Sequence, residues 1–293
     1  MKEPAVSVII PAYNAARSIS AAVRSAHRQT LPPREIIVVD DGSSDDTAAV
    51  ISALSIPVKF IVQENQGPGR ARNHGALEAK GEWFAFLDAD DEWLPDKLEK
   101  QLHYADDPKI AVINARATTK RAEPMPSEIS FERLWQNNDL ITSSALVRRS
   151  AFEACGGFDA NLKLRSVEDY DLWLRLAASG WKIVNCPEDL VLYHPSPTSL
   201  SRQIKEFASA HLVCLRKNAE SVRMPERRLR QRLVQSNLDC ARAAIFARDM
   251  GLARNLVWES MSFSVSLPQL QLLVVSAMPA ALLDFRRRLT VRH

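Results

Sequence analysis

Short apolar runs alternate with polar, helix-like segments over the first 90 residues of the chain. Each run is as long as a buried strand and is rich in β-branched or aromatic side chains. Between the first two runs, Ile19, Val23 and Ala26 recur at the spacing of one helix face. Strands that alternate with helices predict an α/β fold with a mainly parallel sheet flanked by helices. The predicted strands cover residues 6–10, 35–39, 58–62 and 83–87.

The pattern is less regular in the middle of the chain and becomes helical from about residue 203. Gly251 is predicted to end one of the late helices, because glycine adopts the left-handed conformation that commonly follows a helix. The further predicted strands cover residues 110–113, 140–147 and 181–184.

The charge balance changes where the pattern becomes helical. Residues 1–200 contain 22 Lys/Arg and 28 Asp/Glu, whereas residues 201–293 contain 16 and 7. The helical part is therefore a basic extension with a different kind of surface from the rest. Arginine without interleaved aromatic residues or a known module does not favour nucleic-acid binding.

Several classes of protein are disfavoured by simple absences. The chain has no apolar run of membrane-spanning length, and its first residues lack the pattern of a secretory signal. Four widely spaced cysteines indicate free thiols in a reducing compartment, so a cytoplasmic location is expected. No G-x-G-x-x-G motif follows the first strand, which weighs against a dehydrogenase.

Three carboxylates, Asp88, Asp90 and Asp91, directly follow the fourth predicted strand. Like charges this close repel each other unless a cation lies among them, and hard divalent cations prefer oxygen ligands. A solvated acidic turn is the alternative. A calcium loop is rejected because Trp93 occupies the position that requires glycine. The cluster predicts a metal–diphosphate site at this strand end.

The ends of the other strands carry polar groups as well. Residues 11–14 follow the first strand and residues 40–43 the second, so the carboxyl edge of a parallel sheet would gather all three clusters. Residues 65–75 mix glycine and arginine at a predicted helix start, which suits a diphosphate. A tight turn and a flexible basic loop are the respective alternatives.

Glu168 and Asp169 begin a predicted helix, where a carboxylate can stabilise the helix dipole or act as a general base. Asp171 is four residues before Arg175, which predicts an ion pair along that helix. His194 lies in a proline-rich loop, and its role stays open.

Six motifs in order give the chain a resemblance to family 2 glycosyltransferases of the GT-A fold, over about residues 5–200. The motifs are Val-Ser-Val-Ile-Ile-Pro-Ala-Tyr-Asn, Val-Val-Asp-Asp-Gly-Ser-Ser-Asp, Asn-Gln-Gly-Pro-Gly-Arg-Ala-Arg-Asn, Phe-Leu-Asp-Ala-Asp-Asp, Gly-Gly-Phe-Asp and Glu-Asp-Tyr-Asp-Leu-Trp-Leu-Arg. The resemblance implies a donor-binding half (1–110), a catalytic-base and acceptor half (111–202) and a helical extension (203–293).

The resemblance also implies a role for each matching residue. Around the nucleotide sugar it implies Pro11, Tyr13 and Asp41 at the nucleoside, Arg72 near the phosphates, and Asp88 at the start of the D-x-D motif. For the chemistry it implies Asp169 as catalytic base with Glu168 beside it, Asp90 as the main ligand to Mg²⁺ or Mn²⁺, and Asp88, Asp91 and His194 at or near the metal.

The implied activity is inverting, metal-dependent transfer of one sugar from a nucleoside-diphosphate sugar to an acceptor hydroxyl. Surface-polysaccharide or lipid-linked oligosaccharide synthesis is the expected setting. A processive polymerase is disfavoured because no Gln-x-x-Arg-Trp motif is present. A non-catalytic sugar-nucleotide-binding or membrane-docked adaptor of the same fold is the alternative. A nucleotidyltransferase is disfavoured because residues 11–14 contain neither glycine nor a basic residue.

The end of the chain admits two interpretations. Residues 267–283 are mostly apolar, interrupted by two prolines, and Arg286, Arg287 and Arg288 follow. An apolar face with arginines suits the surface of an anionic membrane. A helix packed on the catalytic domain or on a partner subunit is the other interpretation, and the oligomeric state is not predicted.

Overall fold

The computed structural model describes residues 5–118, 125–194 and 203–277, and the chain divides into two compact units, Met1–Ser199 and Leu200–His293. The first unit contains an eight-stranded sheet. All the predicted strand regions contain strands. The eight strands, of which β5 was not predicted, are β1 Val6–Ala12, β2 Glu35–Asp40, β3 Lys59–Val62, β4 Trp83–Phe86, β5 Glu92–Trp93, β6 Ile110–Ala117, β7 Ala145–Arg148 and β8 Lys182–Leu192.

The strand order is β3-β2-β1-β4-β7-β6-β8-β5. Strands β1 to β4 are parallel, as predicted, but β7 is antiparallel to both of its neighbours, so the sheet as a whole is mixed. Leu146 of β7 pairs with Ala85 of β4, which places the segment before β7 beside the end of β4. Residues 140–144 therefore lie at the ligand edge.

Seven helices accompany the sheet in the described part of the first unit. Helix α3 packs unusually close to β1, since a Cβ on Gly75 would lie 2.5 Å from Cγ2 of Ile9. The close approach carries the start of α3 to the sheet edge. The helices are α1 Ile19–His27, α2 Thr47–Ser52, α3 Pro68–Glu78, α4 Lys97–Leu102, α5 Phe131–Gln136, α6 Arg149–Ala154 and α7 Glu168–Ala178.

Two boundary predictions in this unit were wrong. The predicted strand 140–147 begins with a 3₁₀ turn, Thr142–Ser144, and becomes extended only at Ala145. The predicted strand 181–184 continues to Leu192, because its second half pairs with the short strand β5.

The second unit is helical, as predicted, with a small core that includes Leu238, Leu256 and Val257. Gly251 does not end a helix. The break comes at Arg248, which adopts a left-handed φ of 67°, and Asp249 then caps the next helix. No helix in the described residues is long and apolar enough to cross a bilayer. The helices are α8 Ile204–Ser221, α9 Glu226–Phe246, α10 Met250–Met261 and α11 Leu267–Ala277.

Candidate active site

The polar segments that follow β1, β2 and β4 meet at one edge of the sheet. Ala12 pairs with Asp40, and the backbone N–H of Asp41 donates to the carbonyl of Ala12 at 2.8 Å. On the other side of β1, the N–H of Leu87 donates to the carbonyl of Ile9 at 3.1 Å. The predicted nucleoside and metal segments are therefore neighbours.

The loop after β1 presents Tyr13 from a braced backbone. The ring of Tyr13 is 51% exposed, whereas Pro11 is buried within the strand. Asn14 has a left-handed φ of 50° and bonds to the loop after β2: its N–H donates to the Ser43 hydroxyl at 2.9 Å, and its side-chain oxygen accepts from the N–H of Ser44 at 2.8 Å. Tyr13 thus offers a flat apolar surface of the kind on which a base can stack.

Asp41 is buried, and both of its carboxylate oxygens are engaged by the segment that leads into α3. One oxygen accepts from the side chain of Gln63 at 2.7 Å and from the N–H of Gln66 at 2.9 Å. The other accepts from the N–H of Gly67 at 2.8 Å. Asp41 therefore shapes this wall of the site. Its direct contact with a nucleoside stays a prediction.

The three carboxylates after β4 have different surroundings. Asp91 is buried and accepts from the Ser143 hydroxyl at 2.6 Å and from the backbone N–H of His194 at 2.9 Å. Asp88 accepts from the guanidinium of Arg72 at 2.7 Å. Asp90 reaches solvent and receives no hydrogen bond from another described residue. Asp90 and Asp88 are thus the better placed to hold a cation, while Asp91 fixes the loop.

Charge within this cluster is unbalanced. Desolvation and then the negative charge of Asp88 raise the pKa of Asp90, and the same two causes raise the pKa of Asp91 to about 6. An excess of carboxylate at the sheet edge fits a divalent cation. Within the described residues, no three His, Cys, Asp or Glu side chains converge as ligands. Proteins usually bind Mg²⁺ through one or two carboxylates, with phosphate oxygens and water as the other ligands, and binding of such a cation at this cluster stays a prediction.

Asp169 lies in the first turn of α7. Its carboxylate accepts from the backbone N–H of Tyr170 at 2.6 Å and from the Thr142 hydroxyl at 3.1 Å. Desolvation, reinforced by the negative charge of Glu168, raises the pKa of Asp169 to about 7. A carboxylate with a pKa near neutrality is suited to take a proton from a hydroxyl group.

Arg72 connects the start of α7 to the end of β4. Its guanidinium donates to Glu168 at 2.8 Å and to Asp88 at 2.7 Å, and it lies 5.4 Å from the ring centre of Phe158. Burial alone would lower the pKa of Arg72, but the two carboxylates outweigh it and raise it. Its predicted place near donor phosphates is not tested by these contacts.

The Gly-Gly-Phe-Asp loop is held by two polar side chains. Asn73 of α3 bonds to both backbone groups of Phe158, at 2.7 and 2.9 Å. Arg175 donates to the carbonyl of Gly157 at 2.7 Å and forms the predicted ion pair with Asp171, also at 2.7 Å. The loop therefore fixes Phe158, whose ring lies against the guanidinium of Arg72.

Comparison with known families decides what kind of protein carries this geometry. The model of "Glycosyl transferase family 2" matches residues 7–156, and that of "Glycosyl transferase family group 2" matches residues 83–285. The chain belongs to glycosyltransferase family 2. It is a glycosyltransferase whose relatives include proteins of polysaccharide biosynthesis.

Two relatives show which kinds of protein this glycosyltransferase is similar to. The succinoglycan biosynthesis protein ExoO of Rhizobium meliloti is 35% identical over 224 residues, which cover 70% of this chain and 64% of that protein. An Escherichia coli protein, the UDP-Glc:alpha-D-GlcNAc-diphosphoundecaprenol beta-1,3-glucosyltransferase WfaP, is 30% identical over 188 residues, covering 61% of this chain and 73% of the relative.

A solved structure confirms the GT-A fold. The mannosyltransferase PcManGT from Pyrobaculum calidifontis, solved in complex with GDP-Man and Mn²⁺, superposes with a TM-score of 0.65 at 19% identity. The match covers 94% of this chain and 80% of the mannosyltransferase.

The 3₁₀ turn before β7 is the part of the glycosyltransferase site that sequence reasoning missed. Thr142 bonds to Asp169, while the Ser143 hydroxyl donates to Asp91 and accepts from the backbone N–H of Asp88 at 3.0 Å. One short turn thus joins the predicted base to the predicted metal segment. The run Thr-Ser-Ser was a usable signal, but its position depends on the antiparallel pairing of β7.

Proposed function

We propose that this glycosyltransferase moves one sugar from a nucleoside-diphosphate sugar to an acceptor hydroxyl, with inversion and with a divalent cation. The observation that carries the proposal is the link between Asp169 and the carboxylates after β4. Arg72 spans Glu168 and Asp88, and the Thr142–Ser144 turn bonds to both sides. The base and the leaving-group side are thereby held at a fixed separation, which positions the two reactants.

Asp169 is the general base in this proposal. It accepts the acceptor proton while the acceptor oxygen attacks the anomeric carbon and the bond to the diphosphate oxygen breaks. A single in-line displacement inverts the anomeric centre. The hydroxyl of Thr142 holds one carboxylate oxygen, and the N–H of Tyr170 holds the other, so the carboxylate cannot rotate away.

Asp90 and Asp88 would hold the cation, and Asp91 fixes the loop that carries them. When bound, the cation stabilises the negative charge that grows on the diphosphate. Glu168 and Asp88 fix Arg72 between them, and Arg72 brings a positive charge to the leaving-group side of Asp88. The mannosyltransferase of the same fold was solved with Mn²⁺ and GDP-Man, which supports a cation and a nucleotide sugar without naming either for this chain.

A lipid-linked or surface-polysaccharide acceptor is the second half of the proposal. The relatives' names support it, since one is a succinoglycan biosynthesis protein and the other a glucosyltransferase acting on a diphosphoundecaprenol-linked sugar. The reaction would then take place at the cytoplasmic face of the cell membrane.

Calorimetric titration with UDP, GDP and dTDP, each with and without Mn²⁺, tests the donor half. We expect one nucleotide to bind in a Mn²⁺-dependent manner, at least tenfold more weakly in Asp90→Ala. Asp106→Ala removes an exposed aspartate away from these segments and serves as the matched control. Absence of nucleotide binding in folded protein would contradict the proposed site.

Asp169→Asn tests the catalytic half. It keeps the size of the side chain and one acceptor oxygen but cannot take a proton, so nucleotide binding should be retained while sugar transfer falls by at least a thousandfold. A wild-type protein that binds a nucleotide and transfers nothing to any acceptor tried would favour the adaptor.

A further inference from the structure

The last described helix, α11, packs Leu272 and Leu273 against the core of its unit, yet it exposes three other apolar side chains and buries two polar ones. Leu267, Leu270 and Val274 are 66%, 45% and 59% exposed, whereas Gln269 and Ser276 are almost completely buried. An ordinary surface helix has the opposite arrangement. The outward face is therefore unusual.

Hydrogen bonds fix this orientation of α11. The amide of buried Gln269 donates to the Ser260 hydroxyl at 2.9 Å and to the carbonyl of Ser264 at 2.7 Å, and its oxygen accepts from Ser266 at 2.8 Å. At the other end, Arg254 donates to the carbonyl of Ser276 at 2.9 Å. Turning the helix to bury Leu267 and Leu270 would leave these polar groups unpaired, which costs about 1–3 kcal/mol for each.

The exposed apolar residues Leu267, Leu270 and Val274 of α11 form one surface. Positions 267, 270 and 274 are three and four residues apart, so they lie on one side of the helix. The connector before the helix adds Val265, which is 65% exposed. On the adjacent helix α10, Trp258 is also 60% exposed. We call Val265, Leu267, Leu270 and Val274 the apolar face.

Positive charge flanks the apolar face at both ends. Arg216 of α8 lies 5.4 Å from the ring centre of Phe263, in the connector that precedes α11, and Arg254 is bonded at the end of the helix. Both arginines are exposed. Residues 203–277 contain 11 Lys/Arg and 6 Asp/Glu, a net charge of +5.

We propose that the apolar face docks on an anionic lipid bilayer, with the arginines against the headgroups. Leucine, valine and tryptophan next to arginine are typical of helices that lie in the membrane interface. A second copy of the chain would bring like charges together, and so would residues 278–293, which contain Arg286, Arg287 and Arg288. The choice of a bilayer rests on the lipid-linked acceptor in the proposed function.

Vesicle sedimentation tests the docking without any donor or acceptor. The full chain is mixed with phosphatidylcholine vesicles that contain either none or 30% phosphatidylglycerol. We expect binding to the anionic vesicles and at least a tenfold loss in the variant Leu267→Ser, Leu270→Ser, Val274→Ser. Leu77→Ser, at an apolar position of α3 that is 80% exposed, is the matched control and should bind like the wild type. Circular dichroism checks that each variant is folded.

A second variant tests the charge. Arg216→Gln should weaken binding to anionic vesicles several-fold, and 0.5 M NaCl should do the same to the wild type, because salt screens electrostatic attraction. The proposal is overturned if the wild type does not sediment with vesicles, if the serine variant binds equally well, or if light scattering shows a dimer that the serine variant abolishes. Loss of transfer activity alone would concern the proposed function and leave the docking result unchanged.

Discussion

Lys97 offers a test of the fold that does not depend on any substrate. The side chain is completely buried in α4, forms no ion pair with a described residue, and donates to the side chain of Gln101 at 2.7 Å. Its amino group lies 4.0 Å from the ring centre of Trp93. Burial lowers the pKa of Lys97 from 10.5 to about 7. We predict that Lys97→Met stabilises the protein at neutral pH.

The magnitude follows from the two pKa values. At pH 7 the lysine is charged in the unfolded chain but half neutral in the folded one, so lowering its pKa from 10.5 to about 7 costs folding about 4 kcal/mol. Methionine removes this cost but leaves the side-chain oxygen of Gln101 unpaired, which costs about 1–3 kcal/mol. The expected net gain is about 1–3 kcal/mol at pH 7.

The pH dependence separates this explanation from a simple packing effect. A lowered lysine pKa makes the wild type gain stability as pH rises from 7 towards 10.5, and Lys97→Met lacks that gain. Urea unfolding at pH 7, 8, 9 and 10 should show the difference in unfolding free energy between the two proteins changing by about 3–4 kcal/mol in favour of the wild type.

Lys80→Met, on the exposed surface, is the control and should follow the wild type at every pH. A difference between wild type and Lys97→Met that stays constant from pH 7 to 10 would refute the reasoning. It would mean that Lys97 is charged in the folded protein.

Three further predictions follow from the site and its support. Transfer measured as kcat/KM should fall towards low pH with a midpoint near 7, since protonation of Asp169 removes the base; a midpoint near 4 would contradict its raised pKa. Thr142→Val removes a hydroxyl that lowers the pKa of Asp169, so the same midpoint should move to higher pH; an unchanged profile would argue against this contact. Gly75→Ala places a methyl group 2.5 Å from Ile9, so urea unfolding should show a loss of about 1–3 kcal/mol in the free energy of unfolding. Gly156→Ala is the control: its added methyl meets nothing within 4 Å, so it should show only the cost of its positive φ.

The sequence was informative wherever a local pattern carried the physical cause. Alternating apolar runs and amphipathic segments predicted the parallel half of the sheet, because burial of each strand depends on its own side chains. Once the strands were parallel, their carboxyl ends had to share an edge, so Asp41 and Asp88 were expected in neighbouring segments. Six motifs in order were enough to indicate the family.

Contacts between distant segments were not accessible in the same way. The position of Arg72 between Asp88 and Glu168 was not predicted, because Glu168 lies 96 positions further along the chain. The helix end predicted at Gly251 was also wrong. The chain leaves the helix at Arg248, which has a left-handed φ, and Asp249 then caps the next helix.

The sequence alone therefore determined the fold class, the family and the residue types that carry the chemistry. The tertiary structure alone decided how they are connected: the antiparallel return of β7 brings Thr142 and Ser143 to Asp169 and the acidic cluster, and buried Gln269 holds α11 with Leu267 and Leu270 outward. The physical reason is that strand and helix preferences are properties of neighbouring residues. Hydrogen bonds between distant segments form only when the chain folds.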